Sequence, residues 1–186
     1  MNLRDRQRAD TRQRIQRQAL RLFSRQGYDA TTVNEVADAA GVSAMTVYRN
    51  FPTKEDLVLY DDFDEQAATS IAELPSTGAI TDRIGRAILA TLDGASTDLL
   101  LVRLQLMIST PALQARHLDS QFRLQDAFVK AIRADDPTLE YAARAAASAC
   151  LAVTHIALLH WAADDGKPDL PDLFREAFTA AFGHAP

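Results

Sequence analysis

The sequence predicts an all-α protein of about nine helices, built as a three-helix head followed by a helical body. Apolar residues make up 47% of the 186 residues, which is enough to bury a sizeable core. Only seven glycines and seven prolines interrupt the chain. Apolar residues recur at helical spacing along most of it, and no regular alternation of β-branched residues indicates a sheet. These observations exclude a disordered chain and favour helices throughout.

Charge is distributed unevenly between the two ends of the chain. The net charge is −5, but residues 1–60 carry +3 and residues 61–186 carry −8. The first 26 residues hold eight arginines and two aspartates. Because the distribution of charge matters more than its sum, the positive end is the candidate for binding nucleic acid.

The first helix is predicted from about Asp10 to Gln26. Its buried stripe comprises Ile15, Ala19, Leu22 and Phe23. Residues 1–9 are predicted to form a flexible basic arm whose arginines reach phosphates or a minor groove. A solvated tail without a partner is the alternative explanation for such a run.

Residues 32–51 are predicted to form two short helices joined by a tight turn. Apolar residues at i, i+3, i+4 and i+7 mark the first: Val33, Val36, Ala37 and Ala40. Thr32 and Ser43 are placed to cap the two helices, and Gly41 to close the first one. Two such helices form a helix-turn-helix, whose second helix enters the DNA major groove. An ordinary pair of packed core helices is the alternative.

Three stretches then carry a family resemblance at fixed spacing over three helices. They are 19–33 (ALRLFSRQGYDATTV), 37–43 (ADAAGVS) and 46–57 (TVYRNFPTKEDL). Together they resemble the tetracycline-repressor (TetR) family of bacterial regulators, with a match over roughly residues 10–60. Met45 and Asn50 depart from the usual family pattern, which concerns the target base sequence rather than the fold. The resemblance implies a DNA-binding domain at 10–56 and a ligand-binding and dimerisation domain at 57–186.

The candidate DNA contacts lie on and around the second helix of this motif. Small side chains at its front let the backbone approach the bases, and hydroxyl, amide and guanidinium groups surround them. We expect base contacts from Ala44, Thr46 and Arg49, and phosphate contacts from four residues: Thr32, Ser43, Tyr48 and Lys54. The full candidate set is Thr32, Asn34, Ser43, Ala44, Met45, Thr46, Tyr48, Arg49, Asn50 and Lys54. For Lys54, an ordinary exposed lysine at a helix start is the alternative.

A long helix is predicted after the motif, from a Thr53 cap to about Leu74. It would link the DNA-binding head to the body. Further helices are predicted at about 81–92, 97–109 and 111–133, and the helix at 97–109 is apolar nearly all round, which predicts central burial. The last pair of helices is predicted to begin at Pro137, with the first of the two ending near Gly166. A final amphipathic helix carries Phe174, Ala177, Phe178, Ala181 and Phe182.

The last pair of helices is the candidate dimer surface. One is rich in alanine, so a second helix can approach it closely, and the other carries several phenylalanines. The family resemblance implies that these two helices of each subunit form a four-helix bundle in a homodimer. A plain intramolecular core is the alternative.

The body is expected to bind a small molecule, because polar side chains interrupt otherwise apolar helices there. The candidate ligand-binding residues are Phe63, Arg103, Met107, His117, Phe122, Arg123, His155 and Trp161. Satisfied core partners are the alternative for any single one of them. The segment 103–116 also resembles the regulatory domain of actinobacterial TetR-type regulators, some of which respond to fatty acyl-CoA. This resemblance implies a long apolar effector.

The sequence lacks the motifs of an enzyme, and no cofactor is predicted. Neither a phosphate-binding glycine loop nor a nucleophile elbow is present. His155 and His160 are five residues apart, about 140° around a helix, so they do not share a face for a metal. Cys150 lies in an alanine-rich stretch typical of packing. With one cysteine, no signal-peptide core and no run of about 18 apolar residues, a cytoplasmic protein without a membrane span is expected.

The predicted function is therefore a ligand-responsive transcriptional regulator, most simply a repressor that binds a palindromic duplex as a homodimer. A small apolar effector would release it from DNA. Two alternatives stay open at this point. One is an activator or DNA-bending protein with no effector, and the other is an enzyme that uses the helix-turn-helix only for docking.

Overall fold

The computed structural model describes residues 3–60, 63–93 and 97–186, with side chains except those of 3–5, 63–65, 68, 93 and 118–120. The described residues form ten α-helices, one short 3₁₀ turn and no strand, which confirms the all-α prediction. The helices are α1 (Leu3–Gln26), α2 (Val33–Ala40), α3 (Ala44–Asn50), α4 (Asp56–Leu59), α5 (Phe63–Glu73), α6 (Ile80–Asp93), α7 (Thr97–Ser109), α8 (Pro111–Asp135), α9 (Glu140–Ala163) and α10 (Leu170–Phe182). The 3₁₀ turn, Pro137–Leu139, precedes α9.

The chain forms two compact units, and their division differs from the break expected near residue 57. The first unit comprises Met1–Tyr60 and Asp98–His117, and the second comprises Asp61–Thr97 and Leu118–Pro186. Leu106 of α7 and Leu113 of α8 lie in one apolar cluster with the residues of α1 to α4. The segment 98–117, which the sequence suggested was part of the body, therefore completes the core of the head.

Helix α1 begins earlier than predicted. Residues 3–9 continue the helix instead of forming a flexible arm. Arginine, glutamine, leucine and alanine are all good helix formers, and the first glycine or proline of the chain is Gly27. No residue between 3 and 9 is therefore a helix breaker, and the helix includes all of them.

The long helix predicted from Thr53 is interrupted. Its cap is present, because the Thr53 N–H donates to Asp56 Oδ2 (2.9 Å) and the Asp56 N–H donates to Thr53 Oγ1 (3.3 Å). Helix α4 nevertheless ends at Leu59, and Tyr60 is extended at φ −68° and ψ 126°. The Arg103 guanidinium donates to the Val58 carbonyl (2.8 Å) and to the Leu59 carbonyl (3.3 Å). Because this one distant side chain satisfies both carbonyls, they keep hydrogen-bond donors where the helix ends.

The core of the second unit surrounds a buried arginine on α6. Arg83 is 6% exposed, and the groups to which it hydrogen-bonds belong to the same unit. Its Nε and Nη2 donate to the Ile71 carbonyl at 3.0 and 2.8 Å, and its Nη1 pairs with Asp135 Oδ2 at 2.6 Å. The side chain thus ties the end of α5 to the end of α8.

Gly85 marks a close approach between α6 and α10. A Cβ atom at this position would lie 2.8 Å from Cε2 of Phe178, whose ring is fully buried. Real side chains essentially never approach so closely. The glycine therefore lets the two helices pack tightly, despite its cost inside a helix of roughly 0.5–1 kcal/mol relative to alanine.

Helix α9 combines an apolar composition with one buried face. The segment Pro137–Ala163 is long and apolar enough to cross a membrane by length and composition alone, as packed core helices often are. Cys150 on its inner side is fully buried, and burial raises the pKa of its thiol to about 12. The indole N–H of Trp161 donates to the Pro168 carbonyl (2.9 Å) and so fixes the turn into α10.

Candidate nucleic-acid interface

Helix α2 is closed at both ends by local hydrogen bonds. The Glu35 N–H donates to Thr32 Oγ1 (3.2 Å), and the Thr32 N–H donates to Glu35 Oε2 (2.7 Å). The bond from the Thr32 backbone also lowers the pKa of the Glu35 carboxyl. At the other end Gly41 is left-handed, with φ +65°, and its N–H donates to the Asp38 carbonyl (3.1 Å). The predicted capping residue and closing glycine are both confirmed.

Helix α3 is oriented by what it buries. The Thr46 N–H donates to Ser43 Oγ (3.2 Å), which caps the start of the helix as predicted. Val47 and Phe51 are each 1% exposed and lie in the core of the head. The opposite face of the helix points to solvent, and on it Met45 is 62% and Tyr48 48% exposed. A short capped helix with such a face has the shape of a major-groove reader.

The structure places the predicted DNA contacts in two groups. Six have exposed side chains: Thr32, Asn34, Ser43, Met45, Tyr48 and Arg49. Four are half-buried: Ala44, Thr46, Asn50 and Lys54. The Thr32 and Ser43 hydroxyls serve in the helix caps, and the Asn50 amide donates to the Thr46 carbonyl (2.8 Å) within α3.

Lys54 is held beside the turn between α1 and α2. Its ammonium lies 4.3 Å from the centroid of the Tyr28 ring and 3.5 Å from the Asp29 carbonyl oxygen. Burial, together with the Glu55 carboxylate, raises the pKa of the Tyr28 hydroxyl, so the ring stays neutral. The aromatic face therefore fixes the position of a positive charge at the edge of the head.

An open cleft lies where the first turns of α1 pass α3. Its volume is about 320 Å³, and the residues that line it are Gln7, Arg8, Thr11, Thr46, Arg49 and Asn50. The sequence analysis did not connect Gln7 and Thr11 with DNA. It expected Arg8 to reach phosphates or a minor groove from a flexible arm, whereas Arg8 lies on α1. The signal was available, because residues 7, 8 and 11 continue the same helical face as Ile15 and Ala19.

The predicted ligand-binding residues are divided between the two units. Arg103, Met107 and His117 belong to the first, and four others to the second: Phe122, Arg123, His155 and Trp161. The Phe63 side chain lies outside the described residues. Arg103 and Trp161 both donate to backbone carbonyls, which gives each a structural role. Burial lowers the pKa of His155, which favours its neutral form.

A second cleft, of about 420 Å³, lies within the first unit between the end of α1 and α7. It is lined by Phe23, Ser24, Gly27, Tyr28, Asp29, Val102, Gln105, Leu106, Ser109 and Thr110. None of the predicted ligand-binding residues is among them. The described side chains also contain no group of three or more histidine, cysteine, aspartate or glutamate residues arranged to hold a metal ion.

Comparison with known families and proteins matches both parts of the chain. Residues 15–60 match the family described as bacterial regulatory proteins, tetR family, and residues 79–183 match the MftR C-terminal domain. The HTH-type transcriptional regulator TcmR of Streptomyces glaucescens is 30% identical over 142 residues. That match covers 71% of this chain but 63% of the relative, so the chain spans less than two thirds of that protein.

Two further similarities extend along nearly the whole chain. MftR of Mycobacterium tuberculosis is 26% identical over 184 residues, covering 95% of this chain and 90% of that protein. The crystal structure of Thermus thermophilus FadR, a TetR-family repressor in complex with lauroyl-CoA, has a TM-score of 0.58 and 22% identity. This alignment covers 91% of this chain and 92% of the other, and at such identity it speaks for the fold alone.

Proposed function

The chain belongs to the tetR family of bacterial regulatory proteins and is a helix-turn-helix transcriptional regulator, and on that premise we propose that it is a ligand-responsive repressor. It binds a palindromic operator as a homodimer and is released by a small apolar effector. The observation that carries the proposal is the outward face of α3, held by the buried Val47 and Phe51 and presenting Tyr48 and Arg49. The family is one of regulators, so catalysis is not part of the proposal.

The proposed DNA contacts divide by chemistry. Ala44, Thr46 and Arg49 meet base edges, because α3 is the helix that enters the major groove. Phosphates are held by Thr32, Ser43, Tyr48 and Lys54, with Asn34, Met45 and Asn50 at the margins of the interface. The ring that fixes the Lys54 ammonium supports its role, since a positioned charge loses less freedom on binding.

The proposed dimer is formed by α9 and α10. On α9, Tyr141 is 87% and Ile156 61% exposed, although both are large apolar residues. Between them the exposed alanines at 145, 149 and 152 lie along the same side of the helix. Such a stripe allows a second copy to approach closely and cover the two large side chains. A two-fold dimer sets its recognition helices about one DNA turn apart, roughly 34 Å.

The proposed effector is a fatty acyl thioester. Support comes from the similarity of fold to a repressor that was crystallised with lauroyl-CoA. Candidate ligand contacts are Phe63, Arg103, Met107, His117, Phe122, Arg123, His155 and Trp161. Arg103 donates to the Val58 carbonyl at the end of α4, so a ligand that displaced α7 would change the contacts of that helix. The ligand acts by binding more tightly to the released conformation than to the DNA-binding conformation. A cytoplasmic location follows from the proposed role in transcription.

Substitutions on α3 and at Lys54 test the DNA contacts. Arg49→Ala is expected to cost about 1–3 kcal/mol on the preferred operator and to relax preference at one base pair. Tyr48→Ala and Lys54→Ala should weaken binding to all duplexes alike, and Lys54→Ala should lower the salt slope by about 1. Fluorescence anisotropy with a selected operator and its point variants measures both effects. Lys130→Ala, an exposed body lysine, is the matched control. Wild-type binding by all three head variants would reject the assignment.

The effector is tested by thermal shift with lauroyl-CoA. At a ligand concentration 100 times its Kd, stabilisation of about 2.7 kcal/mol is expected. The same ligand should weaken operator binding, because a repressor released by its effector has lower DNA affinity when loaded. Free coenzyme A is the control for the polar part of the ligand. An unchanged melting temperature and unchanged DNA affinity across acyl chain lengths would instead favour an activator or DNA-bending protein without an effector of this class.

A further inference from the structure

The cleft between α1 and α3 points to an additional DNA contact. We propose that Arg8, assisted by Gln7, binds a phosphodiester of the duplex that flanks the base pairs met by α3. This inference rests on the proposed function and extends it to helix α1. The partner is the backbone of double-stranded DNA.

The first argument is the change in character along one face of α1. Ile15 and Ala19 are fully buried in the core of the head. One and two turns earlier, the same face carries Thr11 and then Gln7 and Arg8. A face that only packed against α3 would favour apolar residues here, as it does further along. Polar and cationic side chains at this end of the face favour binding of an anionic partner at the protein surface.

The second argument is charge. Of the six residues that line the cleft, two are arginines and none is acidic. Arg8 and Arg49 come from different helices and share this one open space. Both guanidinium groups are positively charged, so the cleft that they line attracts an anion. Guanidinium groups are also the donors best suited to phosphate oxygens.

The third argument is position and openness. The lining residues Thr46, Arg49 and Asn50 belong to the helix that enters the major groove, whose walls are the two phosphate backbones. A side chain on α1 beside that helix therefore faces a wall of the groove. The cleft is an open one rather than an enclosed cavity, which suits a segment of polymer backbone better than a small enclosed anion.

The test measures salt-dependent binding of full-length protein to a fluorescein-labelled mixed-sequence 30-bp duplex. Phosphate contacts dominate this non-specific binding, so no operator is needed. Arg8→Ala is expected to weaken binding about eightfold for each engaged subunit at 0.1 M salt, and to lower the slope of log K against log salt by about 0.9. Arg8→Lys should keep the wild-type slope. Arg21→Ala, which removes an exposed arginine from the same helix outside the cleft, is the matched control.

The outcomes separate this inference from the proposed function. If Arg8→Ala binds like Arg21→Ala while Tyr48→Ala still loses affinity, the α1 contact is wrong and the regulator stands. If the wild-type protein binds no duplex, both fail. Replacing chloride by inorganic phosphate at constant ionic strength identifies the source of the anion. Competition by free phosphate that disappears in Arg8→Ala would overturn the duplex assignment in favour of a free-anion site.

Discussion

Replacing Arg83 with alanine is expected to lower the free energy of unfolding of the second unit by about 2–3 kcal/mol. The substitution removes two hydrogen bonds to the Ile71 carbonyl and the ion pair with Asp135. The carbonyl is then left without these donors in a buried place, and an unmade bond there costs about 1–3 kcal/mol. The Arg83 stem also fills space in the core, so alanine leaves a cavity.

Urea denaturation followed by tryptophan fluorescence measures this loss. The chain has one tryptophan, Trp161, which is buried in the second unit and reports on its unfolding. Arg86→Ala is the matched control, because Arg86 lies on the same helix and donates to the Asp82 carbonyl of that helix (3.3 Å). Its expected cost is below about 1 kcal/mol. Equal unfolding midpoints for the two variants would show that the buried bonds of Arg83 contribute little.

Replacing Phe51 with alanine is expected to destabilise the DNA-binding head by about 3–5 kcal/mol. The ring is 1% exposed and makes an edge contact with Tyr60, with ring centroids 5.8 Å apart. Phe51 is also the residue at which α3 ends, with an extended backbone at φ −137° and ψ 95°. Removing it leaves a cavity beneath α3, so binding to DNA should fail at 37 °C even though the ring itself faces away from the outward surface.

The comparison variant is Met45→Ala, on the outward side of the same helix. Met45 is 62% exposed, so its loss should change stability by no more than about 0.5 kcal/mol. Circular dichroism during urea denaturation measures stability, and anisotropy at 10 °C measures DNA affinity when more of the destabilised protein is folded. Restored affinity for Phe51→Ala in the cold would separate folding from recognition. A wild-type denaturation curve for Phe51→Ala would contradict its role in the core.

Local signals in the sequence were sufficient wherever a helix end depends on neighbouring residues. Thr32, Ser43 and Gly41 act through partners at most four residues away, so their chemistry can be read from a short window. The same window predicted the outward face of α3. The helix-turn-helix and the all-α class were therefore predictable from propensity, spacing and caps.

Distant partners explain what sequence reasoning missed. Helix α4 ends because Arg103, 45 residues away, donates to the carbonyl of Val58. Arg83 was not singled out in the sequence, since nothing near it indicates that it will bond to the Ile71 carbonyl and to Asp135. Arg103 and Trp161 are polar groups on otherwise apolar helices, and that pattern is the same for a ligand pocket and for a structural hydrogen bond such as that of Trp161.

The head core includes Leu106 and Leu113, which has a consequence for the order of events on the ribosome. The residues up to Tyr60 leave the exit tunnel first, but their core is complete only after the chain has been made as far as His117. At about 5–20 residues per second, that interval lasts roughly 3–11 seconds. The head therefore stays incomplete after its first 60 residues have emerged, and nascent chains cut off before residue 117 would offer an open apolar surface to chaperones and proteases.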